Sequence, residues 1–404
     1  MLQEFLHMEG HLIDSDILRR AFARIVEEGG AFEVAEFRVG RTNEEPSFVR
    51  LAVQAPDPAT LDRILGELSY LGADSEVVDA RFAPAERDGI LPDEFYASTN
   101  METYVRVDGA WRAVPEQRMD CAVILRDGVP HCVKARAVRA GEPVLVRGRG
   151  IRVRPIERAR RYTAFGFMSN ETTAEANKSV AIEGVVQAVR EARNSGERIV
   201  VVAGPAVVHS GGREPLARLV SAGWVDVLLS GNAFAVHDLE AALLGTSLGV
   251  CQLSGRATEG GNRNHLFAIN AVNRAGGVRA AVESGLVRDG VLYEAVRRGI
   301  PIVLAGSVRD DGPLADVITD AREAQDAYAE ALSGAGVCLL LATALHAIAV
   351  GNLLPAKVRT VCVDMTESVP LKLANRGSGQ AMGLVTDVGF FLERLDARLG
   401  RPAP

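Results

Sequence analysis

The chain has 404 residues, 48% of them hydrophobic, and a formal net charge of −7 at pH 7. That length asks for two or three domains, each able to bury a core, and the acidic balance disfavours nucleic acid, whose binding by counterion release needs a basic surface. The opening MLQEFLHMEGHLIDSD lacks an apolar run long enough for a signal peptide or a bilayer span, so a cytoplasmic protein without membrane association is expected; five scattered cysteines without CxxC spacing predict neither disulfides nor a metal site.

From Leu2 to about Arg81 the pattern reads as two similar halves. An apolar stretch near Phe5–Ile13 precedes a helix over Ser15–Glu28, with Ile17, Leu18, Phe22 and Ile25 on one face and glycines after it. AFEVAEFRVG and SFVRLAVQA alternate as half-buried antiparallel strands around the turn RTNEEP. Pro56–Leu71 is again helical, through Leu61, Ile64, Leu65 and Leu68, and DSEVVDARF closes the region as a strand. The order β-α-β-β-α-β predicts a ferredoxin-like α+β domain over residues 1–99. Residues 100–164 read as a small β subdomain with hairpin signals at Asp108-Gly109 and Asp127-Gly128. It ends in a basic run of Arg147, Arg149, Arg152, Arg154, Arg158, Arg160 and Arg161, either a solvated strand or hinge, or a site for a carboxylate or phosphate.

Over residues 165–404, helical stretches such as Ser179–Asn194 and Leu314–Leu332 alternate with short apolar runs: RIVVVAGPAVV, WVDVLLSGNA, IPIVLAGSVRDDG, GVCLLLATALH, VRTVCVDMTES and AMGLVTDVGFF. Runs of this kind are strands buried on both faces, and the alternation predicts an α/β domain with a doubly wound, Rossmann-like parallel sheet. Ligands of such a sheet sit beyond the carboxyl ends of its strands. Those ends read Gly204-Pro205, Ser230-Gly231-Asn232-Ala233, Gly306-Ser307 through Asp310-Asp311-Gly312, Thr343-Ala344-Leu345-His346, Asp364-Met365-Thr366 and Thr386-Asp387. Glycines there let backbone approach a ligand and helix starts offer N–H groups to a pyrophosphate, although Asp, Ser, Thr and Asn at these places also serve as helix caps. The GxGxxG fingerprint is absent: Gly148 and Gly150 lack a third glycine and precede no helix. Glu259-Gly-Gly-Asn-Arg-Asn-His265 reads either as an acid–base segment or as a loop with His265 capping the helix His265–Ala275, and His209 and His237 carry the same ambiguity.

GPAVVHSGG, SGNAFAVHDLEAALLGTSLG, PIVLAGSVRDDGPLADVI, LLATALHAIAVGNLLP and VCVDMTESVPLKLANRGSGQAMGLVTDVG together resemble the archaeal-type ornithine cyclodeaminase family, found also as the C-terminal half of cyanobacterial arginine dihydrolases. GHLIDSDIL and FEVAEFRVGRTNEEPSFVRLAV resemble the conserved region of lysine-oxoglutarate reductase and saccharopine dehydrogenase, LOR/SDH. The resemblance covers nearly the whole chain. It implies a Rossmann-like domain similar to deoxyhypusine synthase that holds NAD at Asn232, Ala233, Asp311, Thr343, Ala344, Leu345, His346, Asp364 and Met365, with Asp387 as an addition, and it implies a homo-oligomer, dimer or tetramer. The reaction implied takes a small amino acid, ornithine: NAD accepts hydride from its α-carbon, the δ-amine attacks the resulting imine with loss of ammonia, and the cyclic imine takes the hydride back as proline. Lys178 is the candidate clamp for the substrate carboxylate, its alternative being a solvated lysine at a helix start, while His265 and Glu259 are candidates for proton transfer. Where the family has histidines after the Gly-Gly pair, this chain reads Asn262-Arg263-Asn264-His265. That departure leaves open a different diamino acid, and a non-catalytic NAD sensor or scaffold is a third reading.

Overall fold

The structure, a computed structural model, describes residues 2–10, 12–13, 16–41, 45–75, 78–154, 178–252, 254–258, 261–310, 312–375 and 381–400. It falls into two compact units, one running to Arg161 and taking in Leu354–Ala356, the other holding the rest. In the first, β1 (Leu2–Gly10), α1 (Ile17–Glu27), β2 (Ala31–Arg38), β3 (Ser47–Ala55), α2 (Pro58–Ser69) and β4 (Asp74–Ser75) form an antiparallel sheet of order β2-β3-β1-β4, the ferredoxin-like arrangement that the sequence pattern predicts. Ile17, Ala21 and Ile25 of α1 and Leu61, Ile64, Leu65 and Leu68 of α2 share a core with Leu6, Met8, Val49, Leu51 and Val53 of the sheet. Asp57 fixes the start of α2 by accepting from the Thr60 N–H at 2.9 Å, with Pro58 in the first helical position. Among the described residues the closing strand is shorter than DSEVVDARF suggested: β4 pairs with Leu6 and His7, and the buried Asp74 faces His7 and Arg152.

Seven further strands build two small sheets in this unit. They are β5 (Phe82–Pro84), β6 (Glu102–Val107), β7 (Ala110–Ala113), β8 (Ala122–Arg126), β9 (Val129–Val133), β10 (Pro143–Leu145) and β11 (Ile151–Arg154), ordered β5-β10-β8-β9 and β11-β6-β7. Asp108-Gly109 and Asp127-Gly128 both take positive φ, 51° and 74°, then 50° and 73°, as the turn of a two-residue hairpin requires. Three of the described arginines of the basic run are engaged within the unit: Arg149 pairs with Glu4 at 2.7 Å, Arg152 with Asp74, and Arg154 lies over the Tyr104 ring at 4.9 Å. Arg158, Arg160 and Arg161 lie outside the described residues.

The second unit runs α3 (Lys178–Asn194), β12 (Arg198–Ala203), α4 (Ala206–His209), α5 (Arg213–Ser221), β13 (Val227–Gly231), α6 (Asn232–Leu244), β14 (Thr246–Ser247), β15 (Val250–Cys251), α7 (Asn264–Ala275), α8 (Val278–Glu283), α9 (Val291–Arg298), β16 (Ile302–Ala305), β17 (Val317–Ile318), α10 (Ala321–Ala331), β18 (Ala335–Leu341), α11 (Ala344–Leu353), β19 (Arg359–Asp364), α12 (Ser368–Asn375), β20 (Ala381–Val385) and α13 (Val388–Leu399). Its seven-stranded sheet is parallel, of order β17-β16-β13-β12-β18-β19-β20. This is the doubly wound order with one extra edge strand. Val200, Val201, Val202, Leu228, Leu229, Leu339, Leu340, Val361 and Val363 are at most 3% exposed, which is why these strands read as unbroken apolar runs rather than alternating ones. The helix expected over Leu314–Leu332 is a strand and a shorter helix. Val317 and Ile318 pair with Leu304 and Ala305 at the sheet edge, and the Asp320 carboxylate accepts from the Arg322 and Glu323 N–H groups, starting the helix only there.

The strand order reverses between the parallel neighbours β12 and β18, whose connections leave in opposite directions, and this is the topological switch point where an open sheet forms a crevice. The two ends meet backbone to backbone. Gly204 donates its N–H to Leu341 O at 2.8 Å, Ala342 donates to Val363 O at 2.8 Å, and a Cβ on Gly204 would stand 1.9 Å from Ala342 O. Gly204→Ala must therefore displace the Ala342 carbonyl, and it should destabilise the unit by about 3 kcal/mol or more in denaturant unfolding, whereas a change below about 0.5 kcal/mol would contradict this packing.

Candidate active site

Gly231 ends β13 in extended backbone, φ −104° and ψ 173°, and starts α6 without a capping side chain, so the first N–H groups of that helix are left for another acceptor. His346, in the first turn of α11, lies against it: a Cβ on Gly231 would be 2.4 Å from His346 Nε2. Tyr328 of α10 fixes that ring. Its hydroxyl has one proton, which it donates to Ser230 O at 2.6 Å, so at 3.2 Å it must accept from His346 Nδ1. The neutral imidazole thus carries its proton on Nδ1 and presents the Nε2 lone pair beside Gly231. Burial lowers the His346 pKa below its ordinary value, with Asp310 acting in the opposite sense, and burial raises that of the Tyr328 phenol.

Other strand ends are tied to one another in the same way. Asn232, 5% exposed, accepts from the Leu314 N–H at 3.1 Å and so pins the loop that follows β16, while Ala233 beside it is exposed. Thr343 is buried, and Ala344 and Leu345 are exposed on the first turn of α11. Asp364 Oδ1 accepts from the Thr366 N–H at 2.9 Å and hydroxyl at 3.1 Å, its carbonyl accepts from the Thr386 N–H at 3.0 Å, and Met365 is exposed next to it. Asp387 has a structural duty as the cap of α13, accepting from the Phe390 N–H at 2.8 Å. Asp311 and Glu259 lie outside the described residues.

Lys178 is the exposed first residue of α3. That helix ends three residues before β12 begins and packs along it, so it runs back against the strand and its first turn lies toward the carboxyl ends. His265 is not the cap of its helix: Arg263 holds that place, and His265 is half-buried in the first turn of α7. Asn264 is a brace, its Nδ2 donating to Thr246 Oγ1 at 2.8 Å, which in turn donates to Glu240 Oε1 at 2.7 Å. Two residues at the heart of these contacts escaped the sequence reading. Tyr328 carries no local signal inside an amphipathic helix, whereas Glu240, fully buried in a helix that is apolar nearly all round, could have been found as a carboxylate with no solvent face. Among the described residues no group of three His, Cys, Asp or Glu is placed to hold a metal ion, and no described helix is long and apolar enough to cross a membrane.

Sheet order and switch-point crevice define a Rossmann-type α/β protein with its ligand side at the β12 and β18 ends. The chain belongs to the arginine dihydrolase ArgZ-like C-terminal family: residues 183–395 match its Rossmann-fold region and residues 102–182 its first region, while residues 3–101 match the LOR/SDH bifunctional enzyme conserved region. It is 47% identical over 393 residues to an ornithine cyclodeaminase of Archaeoglobus fulgidus, covering 96% of each chain. Among solved structures, the apo form of ArgZ, an arginine dihydrolase from the cyanobacterial ornithine–ammonia cycle, superposes with a TM-score of 0.82 at 39% identity over 98% of this chain. The ternary complex of AgrE with ornithine and NAD+ does so with a TM-score of 0.53 at 42% identity, again over 98% of this chain. The chain spans 58% and 57% of those two longer chains.

A histidine whose pKa is lowered on folding refuses a proton that the unfolded chain accepts. Between the ordinary value of 6.5 and the lower folded value the unfolded state binds more protons, so stability rises with pH across that window and is lost as pH falls through it. His209, also lowered, acts with the same sign. Replacing His346 with Gln should flatten part of the rise in melting midpoint across a pH series, and an unchanged slope would count against a neutral His346.

Proposed function

We propose that this chain is an NAD-dependent ornithine cyclodeaminase, converting ornithine to proline and ammonia. The observation that carries the reading is the end-to-end correspondence with a chain of that name, 47% identical over 96% of both, supported by likeness to a relative solved with ornithine and NAD+. The crevice suits a dinucleotide on its own evidence, since Gly204 and Gly231 leave backbone where a Cβ would collide and α6 starts with N–H groups that no side chain caps.

Asn232, Ala233, Thr343, Ala344, Leu345, His346, Asp364 and Met365 would hold the cofactor, with Asp311 and Asp387 as further candidates. The hydride chemistry is supplied by NAD when bound, a hydride leaving the substrate α-carbon and later returning to carbon, so there is no net oxidation. His346 Nε2, kept as an acceptor by Tyr328, suits a donor such as an amide or ribose hydroxyl. Lys178, at the ligand side of the sheet, is the candidate clamp for the α-carboxylate, and His265 and Glu259 remain candidates for proton handling. Because Asn264 is occupied in bracing Thr246, its presence in place of a histidine is no argument for another substrate. The same reading carries a cytoplasmic homo-oligomer, as the family resemblance implies.

Incubated with ornithine and a substoichiometric amount of NAD, the protein should release proline and ammonia in equal amounts with no net NADH. NADH accumulating one for one with product would make it an ordinary dehydrogenase, and NAD binding without turnover of ornithine would make it a sensor.

A further inference from the structure

The carboxyl end of β12 passes through Gly204-Pro205 into α4, whose last residue, His209, is exposed. Its Nδ1 lies 2.8 Å from Oγ of Ser247, which is 1% exposed, and its ring meets that of His237 edge-on with centroids 4.7 Å apart. His237, on α6, is 8% exposed, and its buried Nδ1 stands 3.5 Å from Oε2 of the fully buried Glu240, too far for a formed hydrogen bond. Glu240 also accepts from Thr246 Oγ1 at 2.7 Å, the Gly249 N–H at 3.0 Å and the Leu248 N–H at 3.1 Å. Burial opposes ionisation of Glu240, but His237, Gly249, Thr246 and Leu248 outweigh it and its carboxyl stays below its ordinary value.

A line therefore runs from a fixed, charged carboxylate through a buried imidazole to an exposed one. Bracing of the β14–β15 hairpin accounts for Glu240, Thr246 and Asn264. It does not account for a buried imidazole held at ion-pair distance from that carboxylate, nor for a second imidazole held over Ser247 at the ligand end of the sheet. Burial and the neighbouring His237 both push the His209 pKa down, Glu240 opposing them, so the ring is neutral at neutral pH. The other helices packed on α4 add little: Arg213 of α5 is committed to Asp238 at 2.7 Å and Asp289 at 2.5 Å, and Asp387 of α13 to the Phe390 N–H.

We propose that His209 is the acid–base group of the cyclisation, with His237 and Glu240 as its positioning residues; this rests on the cyclodeaminase reading above. In the tautomer whose Nδ1 donates to Ser247 Oγ, Nε2 is the basic nitrogen, and this is the tautomer the proposal uses. Ornithine arrives with its δ-nitrogen as an ammonium, which has no lone pair for attack. His209 moves two protons in turn from the δ-nitrogen to the α-nitrogen. Meanwhile the δ-nitrogen pair forms the new bond to the α-carbon at the imine level, the bond from that carbon to the α-nitrogen breaks with its pair, and ammonia leaves. The imidazole ends as it began, and this step consumes no oxidant.

The test uses the full chain loaded with NAD. Replacing His209 with Gln should leave the melting midpoint and NAD affinity near wild type, lower kcat for proline about 100-fold, and remove the acidic limb of the kcat/KM profile. Glu240→Gln should move that limb to lower pH, because the carboxylate raises the His209 midpoint. Added imidazole should restore turnover to His209→Ala. A kcat for His209→Gln within about threefold of wild type, or an acidic limb that persists in that variant together with no rescue of His209→Ala by imidazole, would overturn the proposal. Wild-type protein that makes no proline from ornithine would instead overturn the cyclodeaminase reading itself.

Discussion

The contact between Gly204 and the Leu341–Thr343 turn sets where everything else in the second unit can stand. Two parallel strands whose connections leave in opposite directions must part beyond their last residues, and here they part from a backbone contact too close for any side chain. From that point α4 carries His209 to one side, and α11 carries His346 to the other. The strands themselves have no room for chemistry. Buried on both faces, they take only apolar side chains, and polar groups are displaced to the ends where helices begin.

The histidines at these ends are held in different ways, and the difference decides what each can do. Tyr328 and Ser230 settle the tautomer of His346 from below, while burial keeps the ring neutral; the result is a fixed acceptor, suited to recognition. His209 has a hydroxyl on one nitrogen and a histidine and carboxylate behind it, and its ring is exposed. That arrangement suits proton movement, since a group that exchanges protons with a substrate needs both access and a neighbouring charge. The buried Arg213–Asp238 pair is of another kind. Asp238 accepts the Val291 and Leu292 N–H groups at the start of α9 as well as the guanidinium, which locks three helices together away from the strand ends.

Much of the fold was legible because its signals are local. Val-rich runs gave the buried strands, Asp-Gly pairs gave both hairpins through their need for positive φ, and the two helix–strand halves gave the antiparallel sheet. β17 was missed since two residues of strand are too few to show a period beside a long helical pattern. At the site, sheet geometry singled out the strand ends, yet it could not distinguish a cap from a ligand contact: Asp387 is visibly a cap, whereas Asn232 ties down a loop. Contacts between elements far apart in sequence, Tyr328 with Ser230 and Asn264 with Thr246, have no periodicity to announce them, and only the folded chain brings them together.

In the cyclodeaminase reaction proposed for this chain, one hydride leaves and returns within a single turnover. Ornithine deuterated at its α-carbon, turned over with a small amount of unlabelled NAD, tests it directly by mass analysis of the product. Deuterium retained at the α-carbon of proline throughout the reaction is the result expected. Proline carrying hydrogen at that position, with the label lost to cofactor or solvent, would contradict the account.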